Sequence, residues 1–240
     1  MKIDINCDLA EEMPNDAAIM PYITSANIAC GFHAGNLEIM KRTVNLCLEH
    51  KVKIGAHPSF LDRKNFGRTE MQVPDDVLSA WITEQIFSLQ KVCDAAGAEI
   101  HHVKPHGALY NMSASDARLA RLIAEIVKKI DSRLVLYGLS GSVSISEAEK
   151  IGLKTANEVF ADRTYRKDGT LTPRSQANAL IEDAETAVKQ LLQIINFKKV
   201  TTVCGEQIPI TAQTVCIHGD GKHALEFAKK IHQLLDNELI

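Results

Sequence analysis

Short apolar segments alternate along the chain with longer segments in which apolar residues recur every three or four positions. The short segments are rich in β-branched residues and predict strands. The longer segments predict amphipathic helices. Strands and helices that alternate in this way favour repeated βα units around a parallel sheet.

The pattern predicts seven strands, at residues 2–7, 25–30, 52–56, 100–103, 134–139, 155–160 and 214–217. The predicted helices span 37–49, 75–96, 115–130, 142–150, 175–195 and 221–235. Residues 201–213 depart from the alternation and predict a small hairpin inserted before the last strand. Because no low-complexity linker divides the chain, we expect residues 1–240 to form a single domain.

The composition of the chain argues against several classes of function. The chain of 240 residues is 45% hydrophobic and 24% charged, as in ordinary globular proteins. A formal net charge of −3 gives no basic field for nucleic acid. No stretch approaches the roughly 20 apolar residues of a membrane span, and acidic residues interrupt the N-terminal segment where a signal peptide needs an apolar run. We expect a cytoplasmic protein whose six scattered cysteines are mostly buried free thiols.

Ionisable or metal-binding side chains follow six of the seven predicted strands. They are Asn6 and Asp8; His33; His57, Asp62, Arg63 and Arg68; Lys104 and His106; Glu158, Asp162 and Arg163; and His218 and Asp220. A single such residue is usually a helix cap or a turn residue. In a parallel α/β fold, however, the carboxyl ends of the strands share one face, where active sites lie. The repeated pattern therefore predicts an active site.

Two of these stretches indicate particular chemistry. The long loop at residues 55–68 carries two arginines that could bind a carboxylate or a phosphate, although a solvated surface loop would have a similar composition. In the second stretch, Lys104 and His106 flank a proline, and a cation beside a neutral imidazole suits polarising a carbonyl and moving a proton.

Several common catalytic motifs are absent from the sequence. It contains no GxxxxGK[ST] or GxGxxG nucleotide motif, no GxSxG elbow and no HExxH pair. The expected nucleophile is therefore water, activated by a carboxylate, an imidazole or a metal ion.

The polar motifs together resemble the LamB/YcsF family over essentially the whole chain. They are DINCDLAEE, SANIACGFHAG, GAHPSFLDRKNFGR, VKPHGALYN, NEVFADRTY and TVCIHGD. The resemblance implies an irregular seven-stranded (β/α) TIM-like barrel of the glycoside hydrolase and deacetylase type. It also implies ATP-dependent hydrolysis of 5-oxoproline (pyroglutamate) to L-glutamate, carried out with two further subunits, B and C. Because the chain lacks a phosphate loop, ATP could be bound through one of those subunits.

The resemblance leads to expected roles for the residues. Arg63 or Arg68 would bind the substrate carboxylate, Lys104 and His106 would stabilise charge on the lactam oxygen, and Asp8 with His33 or His57 would activate water. Glu158 and Asp162 are alternative bases. The remaining expected substrate-binding residues are Asn6, Asn27, Tyr110, Arg163, His218 and Asp220.

Other possibilities stay open at this point. Asp8, His33 and His57 also resemble an Asp-His-His metal site of the deacetylase group, so a divalent metal remains possible and a metal-dependent amidosugar deacetylase is one alternative. A non-catalytic metabolite-binding component of a larger enzyme is another. Two residues depart from the family pattern: Ala10 stands where the first motif usually has glycine, and Asn36 replaces a usual aspartate but can still cap a helix.

Overall fold

The computed structural model describes residues 3–218 and 224–237. Its strands are β1 (Asp4–Leu9), β2 (Ser25–Ala29), β3 (Lys53–His57), β4 (Ile100–Val103), β5 (Val135–Leu139), β6 (Lys154–Phe160), β7 (Lys199–Thr201), β8 (Gln207–Pro209) and β9 (Thr214–His218). Seven of them form a closed parallel barrel in the order β1-β2-β3-β4-β5-β6-β9, and β9 pairs with β1 to close it. The predicted seven-stranded α/β barrel is therefore confirmed.

Helices connect the barrel strands. They are α1 (Asp16–Ile19), α2 (Leu37–His50), α3 (Asp75–Ala96), α4 (Gly107–Ser113), α5 (Ala117–Ile130), α6 (Val143–Lys150), α7 (Ala184–Phe197) and α8 (Ala224–Asn237). The apolar faces of α3 and α5 supply fully buried side chains, among them Ile82, Ile86, Leu89 and Ile123. This core fixes the barrel and thereby the positions of the strand ends. No helix among the described residues is long and apolar enough to cross a membrane.

The largest difference from the predicted elements lies before α7. The helix expected at 175–195 begins only at Ala184, because the Asp183 side chain accepts a hydrogen bond from the Thr186 backbone N–H at 2.8 Å and caps the helix there. The preceding segment is an irregular loop with two isolated bridges, Arg163 to Leu180 and Tyr165 to Leu171. The short helices α1 and α4 were not predicted. The predicted hairpin is present, as the antiparallel pair β7 and β8.

The barrel interior around β1 is polar. Asn6 and Asp8 alternate along this strand with the buried apolar residues Cys7 and Leu9. The Asn6 side-chain amide donates across the barrel to Glu158 Oε1 at 2.9 Å. Buried polar side chains of this kind need hydrogen-bond partners, and the pairing sets the orientation of the carboxylates above it.

A glycine on β3 makes room for one interior side chain. The His102 ring on β4 is fully buried and bonds to Asn27 Oδ1 through Nε2 at 2.7 Å. A Cβ atom at Gly55 would lie 2.0 Å from the same Nε2. Glycine is therefore required opposite His102, and through Asn27 this imidazole supports the residues at the strand ends.

Candidate active site

A cavity of about 580 Å³ opens at the carboxyl ends of the barrel strands. The residues that line it from the strand ends and the loop after β1 are Asp8, Glu11, His57, Lys104 and His106. Other loops contribute Arg68, Arg163, Arg166 and Arg174, and α4 contributes Tyr110. Side chains from separate strands thus meet in one pocket, which is where barrel enzymes hold their catalytic groups.

Asp8 is a buried carboxylate that lines this cavity. Its Oδ1 atom accepts hydrogen bonds from Asn27 Nδ2 at 2.7 Å and from Lys104 Nζ at 2.9 Å. Its Oδ2 atom lies 3.4 Å from His57 Nε2. One oxygen is therefore held by fixed donors, while the other faces the His57 imidazole.

Lys104 connects two buried carboxylates. Its ammonium group also lies 2.8 Å from Glu158 Oε1 and 3.0 Å from Cys216 Sγ. Burial by itself would lower the lysine pKa, but the negative charges of Asp8 and Glu158 raise it well above its ordinary value. Lys104 is therefore charged, and its charge offsets those of the two carboxylates.

Three imidazoles and a carboxylate form a second group beside Asp8, which we call the His/Glu cluster (Glu11, His33, His57 and His106). The His106 Nδ1 and His57 Nε2 atoms are 2.8 Å apart, and the rings of His33 and His106 stack with centroids 3.9 Å apart. Glu11 Oε1 lies 3.3 Å from His33 Nε2 and 3.3 Å from His106 Nδ1. All four side chains are buried.

The environment of the cluster keeps two of its rings neutral. Burial lowers the pKa of both His33 and His106 well below the ordinary value of 6.5, and neighbouring imidazoles lower it further. One donor atom from each of the four residues lies within 4.8 Å of all the others. Neutral imidazoles and a carboxylate are metal ligands, so this cluster could hold a metal ion.

The two arginines of the loop after β3 have different surroundings. Arg63 donates hydrogen bonds to the carbonyl oxygens of Gly31 and Gly35 and forms an ion pair with Glu12, so its guanidinium joins loops at the protein surface. Arg68 lines the cavity, with its guanidinium carbon 4.8 Å from the centre of the Phe66 ring. Of the two, Arg68 is the one that lines the cavity.

Three further arginines come from the irregular loop between β6 and α7. Arg163 is buried and donates to the carbonyl oxygens of Thr172 and Ala179. Burial and the nearby positive charge of Arg174 lower its pKa to about 10. We call Arg163, Arg166 and Arg174 the arginine wall. They give one side of the cavity a positive charge suited to binding an anion.

The other expected residues lie around the cavity or below it. Asn6 and Asn27 are fully buried and do not line the cavity; instead they bond to each other and support Asp8. Tyr110 lines the cavity, and burial raises the pKa of its hydroxyl. Asp162 follows β6 and accepts the Ile181 backbone N–H through its carbonyl oxygen. The side chain of His218 and all of Asp220 lie outside the described residues.

Comparison with known proteins assigns the chain to a family. Residues 3–240 match the model of the LamB/YcsF family. The chain belongs to the LamB/YcsF family. It is 49% identical to the 5-oxoprolinase A subunit of Histophilus somni over 234 residues, which cover 98% of this chain and 95% of the relative. It is 50% identical over 238 residues to the protein of the same name from Brevibacillus brevis, covering 97% of this chain and 94% of that relative.

A solved structure agrees with this assignment. The crystal structure of a "Lactam Utilization Protein" from Thermus thermophilus superposes with a TM-score of 0.91. The two proteins are 38% identical, and the match covers 99% of this chain and 97% of that chain. The barrel is therefore shared with another protein along almost its whole length.

One of the two departures from the LamB/YcsF pattern has a structural explanation. Ala10 has a φ of +61°, the left-handed conformation that glycine adopts without strain, and this turn carries Glu11 to the imidazoles. Asn36 caps α2, as expected, by accepting a hydrogen bond from the Ile39 backbone N–H at 3.0 Å.

Sequence reasoning did not assign a site role to Glu11, His102, Arg166 or Arg174. Glu11 is adjacent in sequence to an equally acidic residue, Glu12, and only the backbone turn distinguishes the two. His102 lies next to His101 inside a strand, and strand alternation could have indicated that one of the pair faces the interior. Arg166 and Arg174 lie in a stretch without regular structure, so no periodic pattern in the sequence indicated where their side chains lie.

Proposed function

We propose that this chain is the A subunit of a 5-oxoprolinase, which hydrolyses 5-oxoproline to L-glutamate with ATP and two partner subunits in the cytoplasm. The observation that carries the proposal is the buried Asp8 carboxylate, held between Lys104 and His57 at an open cavity. The names of the relatives, at about half identity over nearly the whole chain, indicate the substrate class.

The chemistry explains the need for ATP. 5-Oxoproline is an unstrained five-membered lactam with a carboxylate, and its amide carbon is a poor electrophile. Transfer of a phosphoryl group to the lactam oxygen makes that carbon reactive; water then adds, the C–N bond breaks, and glutamate, ADP and phosphate are released. Because this sequence has neither common nucleotide motif, we assign ATP binding to an assembly with subunits B and C.

Asp8 is the proposed general base. A water molecule beside Oδ2 would transfer its proton to the Asp8 carboxylate, whose Oδ2 lies 3.4 Å from His57 Nε2. Lys104 forms ion pairs with two carboxylates, Asp8 and Glu158, so we assign it to charge balance. Glu158 is fully buried and outside the cavity lining, which makes Asp8 the better candidate for the base.

The arginines that line the cavity are the proposed binding groups for the anionic parts of the substrates. We propose that Arg68 and the arginine wall bind the carboxylate of 5-oxoproline and the phosphoryl group that activates it. Two separate anionic groups need two cationic regions, and Arg68 and the wall come from different loops.

The Asp8→Asn variant tests the assignment of the base. It keeps the side-chain shape but removes the charge, so glutamate release by the assembled enzyme should fall by at least about 100-fold. Glu38→Gln, which removes an exposed carboxylate from α2, is the control and should retain activity. Unchanged turnover in Asp8→Asn would exclude Asp8 as the base.

A second candidate is metal-dependent deacetylation of an amidosugar, which the His/Glu cluster favours. It predicts acetate release from N-acetylated sugars by this chain alone, with a divalent ion and without ATP. Acetate release under these conditions, with no glutamate release in any mixture, would replace the 5-oxoprolinase proposal.

A further inference from the structure

Two imidazoles of the His/Glu cluster have tautomers fixed by backbone carbonyls. His57 Nδ1 lies 2.7 Å from the Lys104 carbonyl oxygen, and His106 Nε2 lies 2.9 Å from the Phe66 carbonyl oxygen. A carbonyl oxygen can only accept, so these two nitrogens carry the protons. In the neutral rings, His57 Nε2 and His106 Nδ1 therefore present lone pairs.

The tautomer of His33 follows from a chain of two hydrogen bonds. The Ser59 hydroxyl donates to the Phe60 carbonyl oxygen at 2.9 Å. Ser59 Oγ must then accept the proton of His33 Nδ1, from which it is 2.9 Å away. His33 Nε2, the nitrogen nearest to Glu11, is left with a lone pair as well.

The lone pairs of the three imidazoles therefore converge on the Glu11 carboxylate. The lone pairs of His57 Nε2 and His106 Nδ1 face each other at 2.8 Å, and Glu11 Oε1 lies 3.3 to 3.7 Å from all three imidazoles. Buried acceptors that face one another are unfavourable unless a cation lies between them. One extra proton between His57 and His106 would still leave the His33 Nε2 lone pair facing Glu11 Oε1 at 3.3 Å.

We propose that Glu11, His33, His57 and His106 bind one divalent transition-metal ion. The donors of a tetrahedral zinc site lie about 3.4 Å from one another, close to most of the separations in the cluster. Each histidine also donates its other N–H to a fixed oxygen, the arrangement that orients imidazoles at metal sites. Glu11, His57 and His106 line the cavity, which gives an ion a path to the site.

The donor types select the class of metal. Three imidazole nitrogens and one carboxylate oxygen suit Zn²⁺, Co²⁺ or Ni²⁺, whereas Mg²⁺ and Ca²⁺ prefer oxygen ligands. Asp8 is not one of the four residues whose donor atoms lie within 4.8 Å of one another, and its Oδ1 is held by Asn27 and Lys104. The proposed ligands thus differ from an Asp-His-His site, and the positive charge of the ion would lie next to the proposed base.

Metal binding can be measured on the purified chain without any assay of activity. The protein is dialysed against a chelator and then titrated with Zn²⁺ or Co²⁺, with metal content, the visible absorption of bound Co²⁺ and thermal stability as readouts. We expect about one ion per chain, a Co²⁺ band typical of tetrahedral coordination, and a raised melting temperature.

Matched variants locate the ion. Glu11→Gln and His33→Gln should each weaken binding by at least about tenfold, whereas Asp8→Asn and His102→Gln should retain it. His102 is the control because it is equally buried but bonds to Asn27, outside the cluster.

Two results would overturn the proposal: no bound metal and no Co²⁺ band in the wild-type chain, or equal binding by the wild type and both ligand variants. The wild-type titration decides the question even if a variant fails to fold, and it is independent of whether the chain opens 5-oxoproline.

Discussion

At the scale of single residues, the centre of the site is a buried lysine between two carboxylates. Lys104, Asp8 and Glu158 are each almost completely buried, and the two ion-pair distances are 2.9 and 2.8 Å. Removing one member of such a group leaves a buried charge without compensation. The stability of the barrel and the charge balance around the proposed base therefore depend on the same side chain.

We predict that Lys104→Met lowers the free energy of unfolding by about 3–5 kcal/mol in urea denaturation. Lys41→Met is the matched control, because Lys41 forms an exposed ion pair with Glu38, and such pairs contribute about 1 kcal/mol or less. Equal losses in the two variants would show that Lys104 does not balance buried charge.

A second prediction at the scale of single residues concerns the pH dependence of stability. Burial lowers the pKa of His102 well below 6.5, and the positive charges of His101 and Lys104 lower it further. The unfolded chain binds a proton on His102 below about pH 6.5 and the folded chain does not, so stability is lost as the pH falls through 6.5. His102→Gln should flatten this dependence, by up to about 1.4 kcal/mol per pH unit.

Unfolding curves between pH 5 and pH 8 measure this effect. His50→Gln, which removes an exposed imidazole from the end of α2, is the control. An equal change of slope in both variants would contradict the role of burial at His102.

Many residues of the candidate site could be predicted from sequence, because their ionisable side chains lie directly at strand ends. Asp8, His57 and Lys104 each belong to or follow a strand whose apolar pattern fixes its position. The contribution of Glu11 was not predictable, because it depends on the left-handed conformation of Ala10. Sequence shows that a turn is present but not which of two adjacent glutamates it directs inward.

At the scale of elements, the site depends on a close approach of the β3–α3 loop to the start of α4. Ala108 N donates to the Gly67 carbonyl oxygen at 2.9 Å, and Gly107 adopts a φ of +57°. A Cβ atom at Gly107 would lie 2.4 Å from that carbonyl oxygen. The neighbouring Phe66 carbonyl oxygen fixes His106, so this approach also orients the His/Glu cluster.

We predict that Gly107→Ala destabilises the protein by at least twice as much as Gly97→Ala and weakens metal binding. Gly97 caps α3 with a φ of +70°, and a Cβ atom there would meet nothing within 4 Å, so its substitution costs only the backbone strain of about 1–2 kcal/mol. Thermal unfolding and Co²⁺ titration of both variants measure the difference. Similar behaviour of the two would show that the loop contact does not position the cluster.

Element prediction succeeded where periodic apolar residues packed against the barrel and failed where they did not. The helix before β7 was predicted nine residues too early, at Ser175 rather than Ala184; in the structure the Asp183 side chain caps the helix. That stretch follows the loop that holds the arginine wall. Its structure depends on hydrogen bonds from Arg163 to distant backbone carbonyls, which a local pattern does not show.

At the scale of the whole molecule, one face of the barrel combines a proposed base, a proposed metal site and a positive wall. We predict that Arg174→Gln raises the KM for 5-oxoproline or ATP about 10- to 100-fold in the assembled enzyme, because a charged hydrogen bond to an anion is lost. Arg133→Gln is the control, since Arg133 is exposed and pairs with Asp131 outside the cavity. Steady-state kinetics that leave both KM values unchanged in Arg174→Gln would contradict the assignment.

The most direct test of the account measures glutamate release from 5-oxoproline. The chain is assayed alone and mixed with candidate B and C subunits, each with and without ATP. The account predicts glutamate only from the full mixture with ATP, together with loss of this activity in Asp8→Asn. Absence of glutamate from every mixture, or release of glutamate without ATP, would contradict it.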